Sequence, residues 1–69
     1  MEELTNTIAV LRAARQLSQT ELAEAIGVSR KTISTVETGR FTPSVVIALK
    51  LALFFQVPVE QIFTLQVAD

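Results

Sequence analysis

Two helix-start signals separated by a glycine define the segment Leu17–Arg40, which reads LSQTELAEAIGVSRKTISTVETGR. Ser18 is a favourable N-cap, and Glu21 follows it at the spacing of a capping box, so a helix should begin at Gln19. Gly27 lies where a left-handed C-cap would end that helix, because glycine adopts a positive φ at little steric cost. The segment therefore predicts a short helix, a tight turn and a second helix.

The second helix of this pair should begin after a further N-cap, Ser29, and end at Gly39. Helical spacing directs five apolar side chains of the two helices inward: Leu22, Ala23, Ile26, Ile33 and Val36. The outward positions of the second helix carry two long cations and then hydroxyl groups: Arg30, Lys31, Ser34, Thr35 and Thr38. Such a face can approach a polyanion and donate hydrogen bonds to base edges.

The rest of the chain predicts three more helices and two strand-compatible ends. Helices are expected over residues 7–14, from the Pro43-Ser44 pair to Phe55, and from Pro58 to Ile62. The ends, residues 3–6 and 63–67, alternate weakly and are predicted to pair. We therefore expect residues 1–69 to form a single all-α domain of five helices with a small terminal two-stranded β-ribbon.

The fourth predicted helix is strongly apolar, but its eleven residues, Val45–Phe55, include Lys50 and are too few to span a bilayer. Its core stripe is expected to contain five residues: Val45, Ala48, Leu49, Ala52 and Phe55. Val46 and Leu53 would lie on the opposite side, exposed, and are interpreted as part of a subunit interface, with contact to the chain's own ends as the alternative. Phe41, in the preceding loop, is expected to plug the core.

Composition excludes several kinds of function. The chain has no cysteine and no histidine, so it lacks thiolate ligands, the commonest metal ligand and the commonest general base. We therefore expect no enzyme activity, no metal and no cofactor. Glu2 and Glu3 open the chain where a signal peptide would carry cations, and no long apolar stretch follows. The expected location is the cytoplasm, without membrane association.

The net charge of −1 conceals an uneven distribution. Five of the six cations fall between residues 10 and 45, whereas four of the seven acidic residues lie near the two ends. A local basic patch can still neutralise phosphates where it touches them, although long-range attraction would be weak. Arg15 and Lys50 are expected to be solvated.

Four blocks of the sequence together resemble the lambda-repressor-like, Cro/Xre-type helix-turn-helix proteins. They are LSQTELAEAIGVSRKTIS, VETGR, PSVVIALKLA and VPVEQIF, in the order and spacing of that family. The ending resembles that of short, stand-alone regulators. The resemblance implies a DNA-binding domain whose third helix enters the major groove.

Residues of the third helix match the base-reading positions of the family. Arg30, Lys31 and Thr35 match positions that reach base edges, and Ser34 is a weaker match. The alternative for the two cations is a solvated helix face. The alternative for the Thr35 hydroxyl is packing or a bound water.

Other residues match supporting positions of the family. Gln19 matches a glutamine that touches a phosphate or supports a base-reading side chain, and Thr38 and Arg40 match contacts to the DNA backbone. Arg12 and Glu37 match an ion pair that ties the first helix to the third. Gln56 departs from the pattern, since glycine or asparagine is common there, so either it adopts a left-handed conformation or the helix ends differently.

The function expected from these observations is that of a homodimeric, sequence-specific DNA-binding transcriptional regulator, a repressor that binds an inverted repeat in double-stranded DNA. The dimer would form through the C-terminal segment and the fourth helix: Ile62, Phe63, Leu65 and Val67, with Val46 and Leu53. The same fold would also suit an antitoxin, a controller of a restriction system or a module that bridges other proteins.

Overall fold

The computed structural model describes residues 2–67. Within this range the elements follow in the order β1 (Glu2–Asn6), α1 (Ile8–Ala14), α2 (Gln19–Ile26), α3 (Arg30–Glu37), α4 (Val45–Phe55), α5 (Val59–Ile62) and β2 (Phe63–Val67). The five predicted helices and the terminal ribbon are therefore confirmed. The predicted helix boundaries differ from these by two residues at most, at the start of α4.

Serine caps begin the three central helices. The Ser18 hydroxyl accepts a hydrogen bond from the Glu21 backbone N–H at 3.0 Å, and the Ser18 N–H donates to the Glu21 carboxylate at 2.9 Å, which completes a capping box. Ser29 caps α3 and Ser44 caps α4 in the same way, without the reciprocal carboxylate. Gly27 ends α2 at φ +76°, in the left-handed conformation expected for it.

The core lies where all five helices meet. It contains nine buried apolar side chains: Ile8, Leu22, Ala23, Ile26, Ile33, Val36, Leu51, Phe55 and Ile62. α2 and α3 pack directly against each other over this core, to which they contribute Leu22, Ile26 and Ile33. The outer side of α3 is consequently presented as a convex ridge on the surface.

The predicted core stripe of α4 is wrong in part. Val45 and Leu49 are 74% and 52% exposed, whereas Leu51, which was not assigned to the core, is fully buried beside Phe55. An all-round apolar helix carries no polar side that could indicate which face turns inward, so packing against α2 and α5 decides it. Phe41 is also half-exposed and does not fill the core.

The two ends of the described chain pair as an antiparallel ribbon, from Glu2 opposite Val67 to Asn6 opposite Phe63. Asn6 joins this ribbon to the helices. Its side-chain oxygen accepts a hydrogen bond from the Ile8 N–H, and its amide group donates to the carbonyls of Val36 and Glu37. One side chain therefore serves the start of α1 and the end of α3.

Arg15, directly after α1, holds the end of α4 and is not simply solvated. Its guanidinium donates hydrogen bonds to the carbonyls of Phe54 and Phe55 at 3.2 and 2.9 Å and lies 5.4 and 5.3 Å from the centres of their rings. These carbonyls would otherwise lack helical partners. Gln56 ends the helix in the left-handed conformation at φ 57°, and Gln16 adopts the same conformation after α1.

Candidate DNA-binding surface

The first turn of α3 carries the two cations that the sequence assigns to base reading. Arg30 and Lys31 directly follow the Ser29 cap, and both are exposed. Arg40 is exposed in the loop after α3, where Gly39 turns the chain at φ +76° and the Arg40 N–H donates to the Thr35 carbonyl. Cations therefore lie at both ends of the exposed ridge.

Some of the predicted site residues share a shallow depression of about 360 Å³ beside this ridge, here named the Thr35 depression. It is lined by Ser29, Lys31, Thr32, Thr35, Arg40 and Phe41. The depression thus brings together two cations and one hydroxyl residue of the predicted set. Thr38 lies in a separate groove toward the ribbon.

The hydroxyls of Thr35, in α3, and of Thr38, directly after it, are hydrogen-bonded to carbonyls of the helix backbone. The Thr35 hydroxyl lies 2.9 Å from the Lys31 carbonyl and 3.1 Å from that of Thr32, and the Thr38 hydroxyl lies 3.0 Å from the Ser34 carbonyl. Each hydroxyl hydrogen is therefore engaged within the helix, which leaves a methyl group and oxygen lone pairs for an external partner.

The Glu37 side chain is largely buried, and its carboxylate links α3 to α1 and α2. The Arg12 Nε atom lies 2.9 Å from Glu37 Oε2, and Gln19 Nε2 lies 3.3 Å from Glu37 Oε1. The hydrogen bond from Arg12 to Glu37 raises the pKa of the guanidinium. Arg12 also donates to the Leu17 carbonyl at 2.9 Å.

This network orients Gln19. One amide hydrogen of Gln19 points to Glu37, and the amide carries a second hydrogen that can be donated elsewhere. The support for Gln19 therefore comes from the last residue of α3, and Gln19 does not contact Arg30 or Lys31 among the hydrogen bonds of residues 2–67.

The residues expected at a dimer interface do not all reach the surface. Ile62 is fully buried in the core of its own subunit, so its assignment to the interface is corrected: the short helix α5 packs inward and uses this side chain to do so. Phe63 is half-buried against the same core. Leu65 and Val67 are exposed on the ribbon.

The outer side of α4 is a larger apolar surface than the sequence predicted. Val46 and Leu53 are exposed as expected, and Val45 and Leu49 join them: the α4 patch is Val45, Val46, Leu49 and Leu53. Lys50 does not interrupt it, because its ammonium lies 3.9 Å from the position that a Cβ on Gly27 would occupy. There the cation faces the C-terminal end of α2.

Phe41 is the surface residue that sequence reasoning missed. Its ring lines both the Thr35 depression and the groove beside the ribbon. The available signal was its position directly after Arg40, in the loop that follows α3. An apolar side chain suggests the core by default, and only the packing shows that the core is already filled.

The comparisons with known proteins agree with this geometry. A family model described as helix-turn-helix matches residues 8–62, from the start of α1 to the end of α5. The chain belongs to the Cro/Xre-type helix-turn-helix family. It is a transcriptional regulator with a helix-turn-helix DNA-binding domain, and the family and its relatives point to DNA binding and not to catalysis.

Relatives match over most of their own length. The chain is 43% identical over 60 residues to an uncharacterised helix-turn-helix-type transcriptional regulator of Methanocaldococcus jannaschii, which covers 87% of this chain and 91% of the relative. A corresponding regulator of Bacillus subtilis is 36% identical over 63 residues, 91% of this chain and 96% of the relative.

A solved structure is similar at the level of the whole domain. The restriction-modification controller protein C.AhdI from Aeromonas hydrophila superimposes with a TM-score of 0.71 and 36% identity, over 77% of this chain and 80% of the controller.

Within residues 2–67, none of the helices has the length and apolarity required to cross a membrane.

Proposed function

We propose that this protein is a homodimeric, cytoplasmic repressor that binds an inverted-repeat operator through α3 of each subunit. The observation that carries the proposal is the outer face of α3, where cations and hydroxyl residues form an exposed ridge without an acidic side chain. A helix of this shape fits the major groove, and two-fold symmetry would place the second copy about 34 Å away. Occupancy of the operator would then block transcription.

The cations divide into two roles in this proposal. Arg30 and Lys31, on the first turn of α3, would donate to guanine O6 and N7, a contact that discriminates by about 1 to 3 kcal/mol. Gln19, Thr38 and Arg40 would hold the helix in register through phosphate contacts. The link from Gln19 to Glu37 supports this division, because it fixes an amide donor beside the ridge.

The proposed dimer rests on the α4 patch. α4 is apolar on all sides, and its core-facing residues occupy only one of them. Four aliphatic side chains, each more than half-exposed and without an interrupting charge, would be unfavourable in water. A second copy of the same uncharged face would cover them, with Phe63, Leu65 and Val67 of β2 extending the contact.

Selection of bound duplexes from a randomised library at about 0.15 M salt tests the proposal, because weak phosphate-only binding is suppressed there. Enrichment of an inverted repeat is expected. A folded protein that enriches no sequence would overturn sequence-specific binding, and enrichment of a single half-site would overturn the dimer.

Two matched alanine variants test the division between base and phosphate contacts. Arg30→Ala is expected to weaken the selected site more than random DNA, whereas Arg40→Ala should weaken both alike and lower the salt dependence of binding by about one counterion. Gel-shift titrations at three salt concentrations measure both effects. Equal losses on both duplexes for Arg30→Ala would contradict its role in base reading.

Leu53→Glu tests the dimer surface, with Val10→Glu as its matched control. Both residues are exposed aliphatic side chains on helices, but Val10 lies on α1, outside the proposed surface. Sedimentation equilibrium should show a dimer for the wild type and for Val10→Glu and a monomer for Leu53→Glu. A dimeric Leu53→Glu variant would remove the α4 patch from the interface.

A second candidate function is that of a module that bridges other proteins. The uncovered α4 patch and the slightly acidic composition favour it. A controller of a restriction system, suggested by the likeness to C.AhdI, and an antitoxin are further forms of the DNA-binding proposal. The genes beside its own would distinguish these forms, and the library selection separates all of them from the bridging module.

A further inference from the structure

The Thr35 depression has a chemistry that the contacts assigned so far do not use. Two of its lining residues, Thr35 and Phe41, offer apolar groups, while Lys31 and Arg40 supply cations at its margins. Phe41 is half-exposed, so its ring is available to a partner. The depression therefore combines apolar groups with two cations.

The hydroxyl of Thr35 limits what this spot can recognise. Its hydrogen is directed to the backbone carbonyls of Lys31 and Thr32, at 2.9 and 3.1 Å, so the side chain has no donor free for guanine O6 or N7 or for thymine O4. What remains is the methyl group and the acceptor lone pairs. The methyl group is apolar, as is the ring of Phe41, which lines the same depression.

Thymine is the DNA base that presents a methyl group in the major groove. We infer that Thr35 and Phe41 together receive the 5-methyl group of a thymine in each half-site, beside the base contact proposed for Lys31 and the phosphate contact proposed for Arg40. This assigns a specificity role to Phe41 and a base identity to Thr35. The inference rests on the proposed sequence-specific binding by α3.

The test replaces each thymine of the selected operator with deoxyuridine, in both half-sites at once, which removes only the methyl group. At one thymine position of the half-site, replacement is expected to weaken wild-type binding about fourfold for each half-site. This fold-change corresponds to about 0.8 kcal/mol for one buried methyl group. Fluorescence anisotropy measures the dissociation constants. Circular dichroism melting checks that each variant is folded.

Variants then connect that position to the depression. Thr35→Ser, which loses the methyl group, and Phe41→Ala, which loses the ring, should bind the thymine and deoxyuridine operators within twofold of each other. Thr35→Val keeps a methyl group at this position and should retain the preference for thymine. Thr42→Ser removes a threonine methyl group next to Phe41 in sequence but outside the Thr35 depression, and should discriminate as the wild type does.

The outcomes separate this inference from the function on which it rests. Full discrimination by Thr35→Ser, or an operator in which no thymine responds to replacement, would overturn the thymine assignment and leave sequence-specific binding intact. Failure of the library to enrich any sequence would overturn both. Loss of discrimination in Thr42→Ser as well would show a general effect of methyl removal in this region and would also overturn the thymine assignment.

Discussion

Helices α3 and α4 are built alike on the inside and oppositely on the outside. Each begins at a serine whose hydroxyl accepts a hydrogen bond from the third backbone N–H, with distances of 3.1 Å at Ser29 and 3.2 Å at Ser44. Each sends fully buried aliphatic side chains into the shared core. Each is also held near its C-terminal end by an arginine in α1 or directly after it.

Their outer faces differ in every respect that matters for a partner. The α3 face carries cations and hydroxyl residues, and the α4 patch carries only aliphatic side chains. The buried side of each helix therefore stabilises the fold, and the exposed side is available for binding. We propose that the exposed side of α3 binds DNA and that the exposed side of α4 binds an apolar surface. This division predicts which substitutions change stability and which change binding.

The largest effect is expected from the two inner faces. Ile33→Ala and Leu51→Ala each remove a fully buried side chain and should each lower the free energy of unfolding by about 2 to 5 kcal/mol, since a cavity remains in the core. Urea denaturation measures both values. A loss below about 1 kcal/mol at either position would show that the inner faces of the two helices are not equivalent.

The next largest losses of stability are expected on substitution of Arg12, in α1, and Arg15, directly after it. The two losses should differ. Arg12→Ala leaves the largely buried Glu37 carboxylate without its ion pair and is expected to cost about 2 kcal/mol. Arg15→Ala removes one exposed and one partly buried hydrogen bond to neutral carbonyls and leaves no buried charge behind, so we expect a cost of about 1 kcal/mol. If thermal unfolding ranks the two variants in the reverse order, α4 depends on its arginine more than α3 does.

The caps provide the most direct test of equivalence. Ser29→Ala and Ser44→Ala should each cost about 1 kcal/mol, because each leaves one backbone N–H of the first helical turn without its partner. Glycine at either position should cost only a few tenths of that amount. Chemical denaturation of the four variants checks the expectation, and unequal alanine values would break the parallel between the helices.

The outer faces should have almost no effect on the stability of one subunit. Arg30→Ala and Leu53→Ser are expected to change the free energy of unfolding by less than about 0.5 kcal/mol under conditions where the protein is a monomer. Melting at two concentrations tenfold apart sharpens the contrast. The dependence of the melting temperature on concentration should persist in Arg30→Ala and disappear in Leu53→Ser.

The smallest expected effect on stability is at the capping box of α2, a feature that α3 and α4 lack. Hydrogen bonds from Ser18 lower the pKa of Glu21 from its ordinary value of 4.5. Its contribution to stability is therefore complete above pH 4.5 and is lost as the pH falls through the lowered value. Glu21→Gln should flatten stability against pH in this acid range, whereas a change in slope above pH 5 would point to another group.

The parts of the fold that the sequence predicted are those with local signals. Ser18, Glu21 and Gly27 act within a few residues of themselves, so the start and end of α2 follow from their spacing. The polar face of α3 is defined equally well, because the contrast between its two sides is strong. The contacts of that face with DNA remain predictions.

The parts that failed depend on contacts between distant residues. α4 is apolar on every side, so its sequence alone could not indicate that Leu51 turns inward and Leu49 outward. Ile62 was expected at the end of the last helix, where it lies, but its side chain was assigned to the dimer interface and is buried in the core. Arg15 has no hydrogen-bond partner that its local sequence indicates, and its guanidinium donates to carbonyls at the end of α4.

The ribbon has a consequence for the time course of folding. Pairing Glu2 with Val67 closes a loop that contains nearly the whole chain, and the entropy lost on closing a loop grows with its length. The contacts between α2 and α3, in contrast, join neighbours in sequence and can form early. We therefore expect φ-values near zero for ribbon substitutions such as Thr5→Ala: the surface proposed to read DNA would be assembled first, and β1 and β2 would pair last.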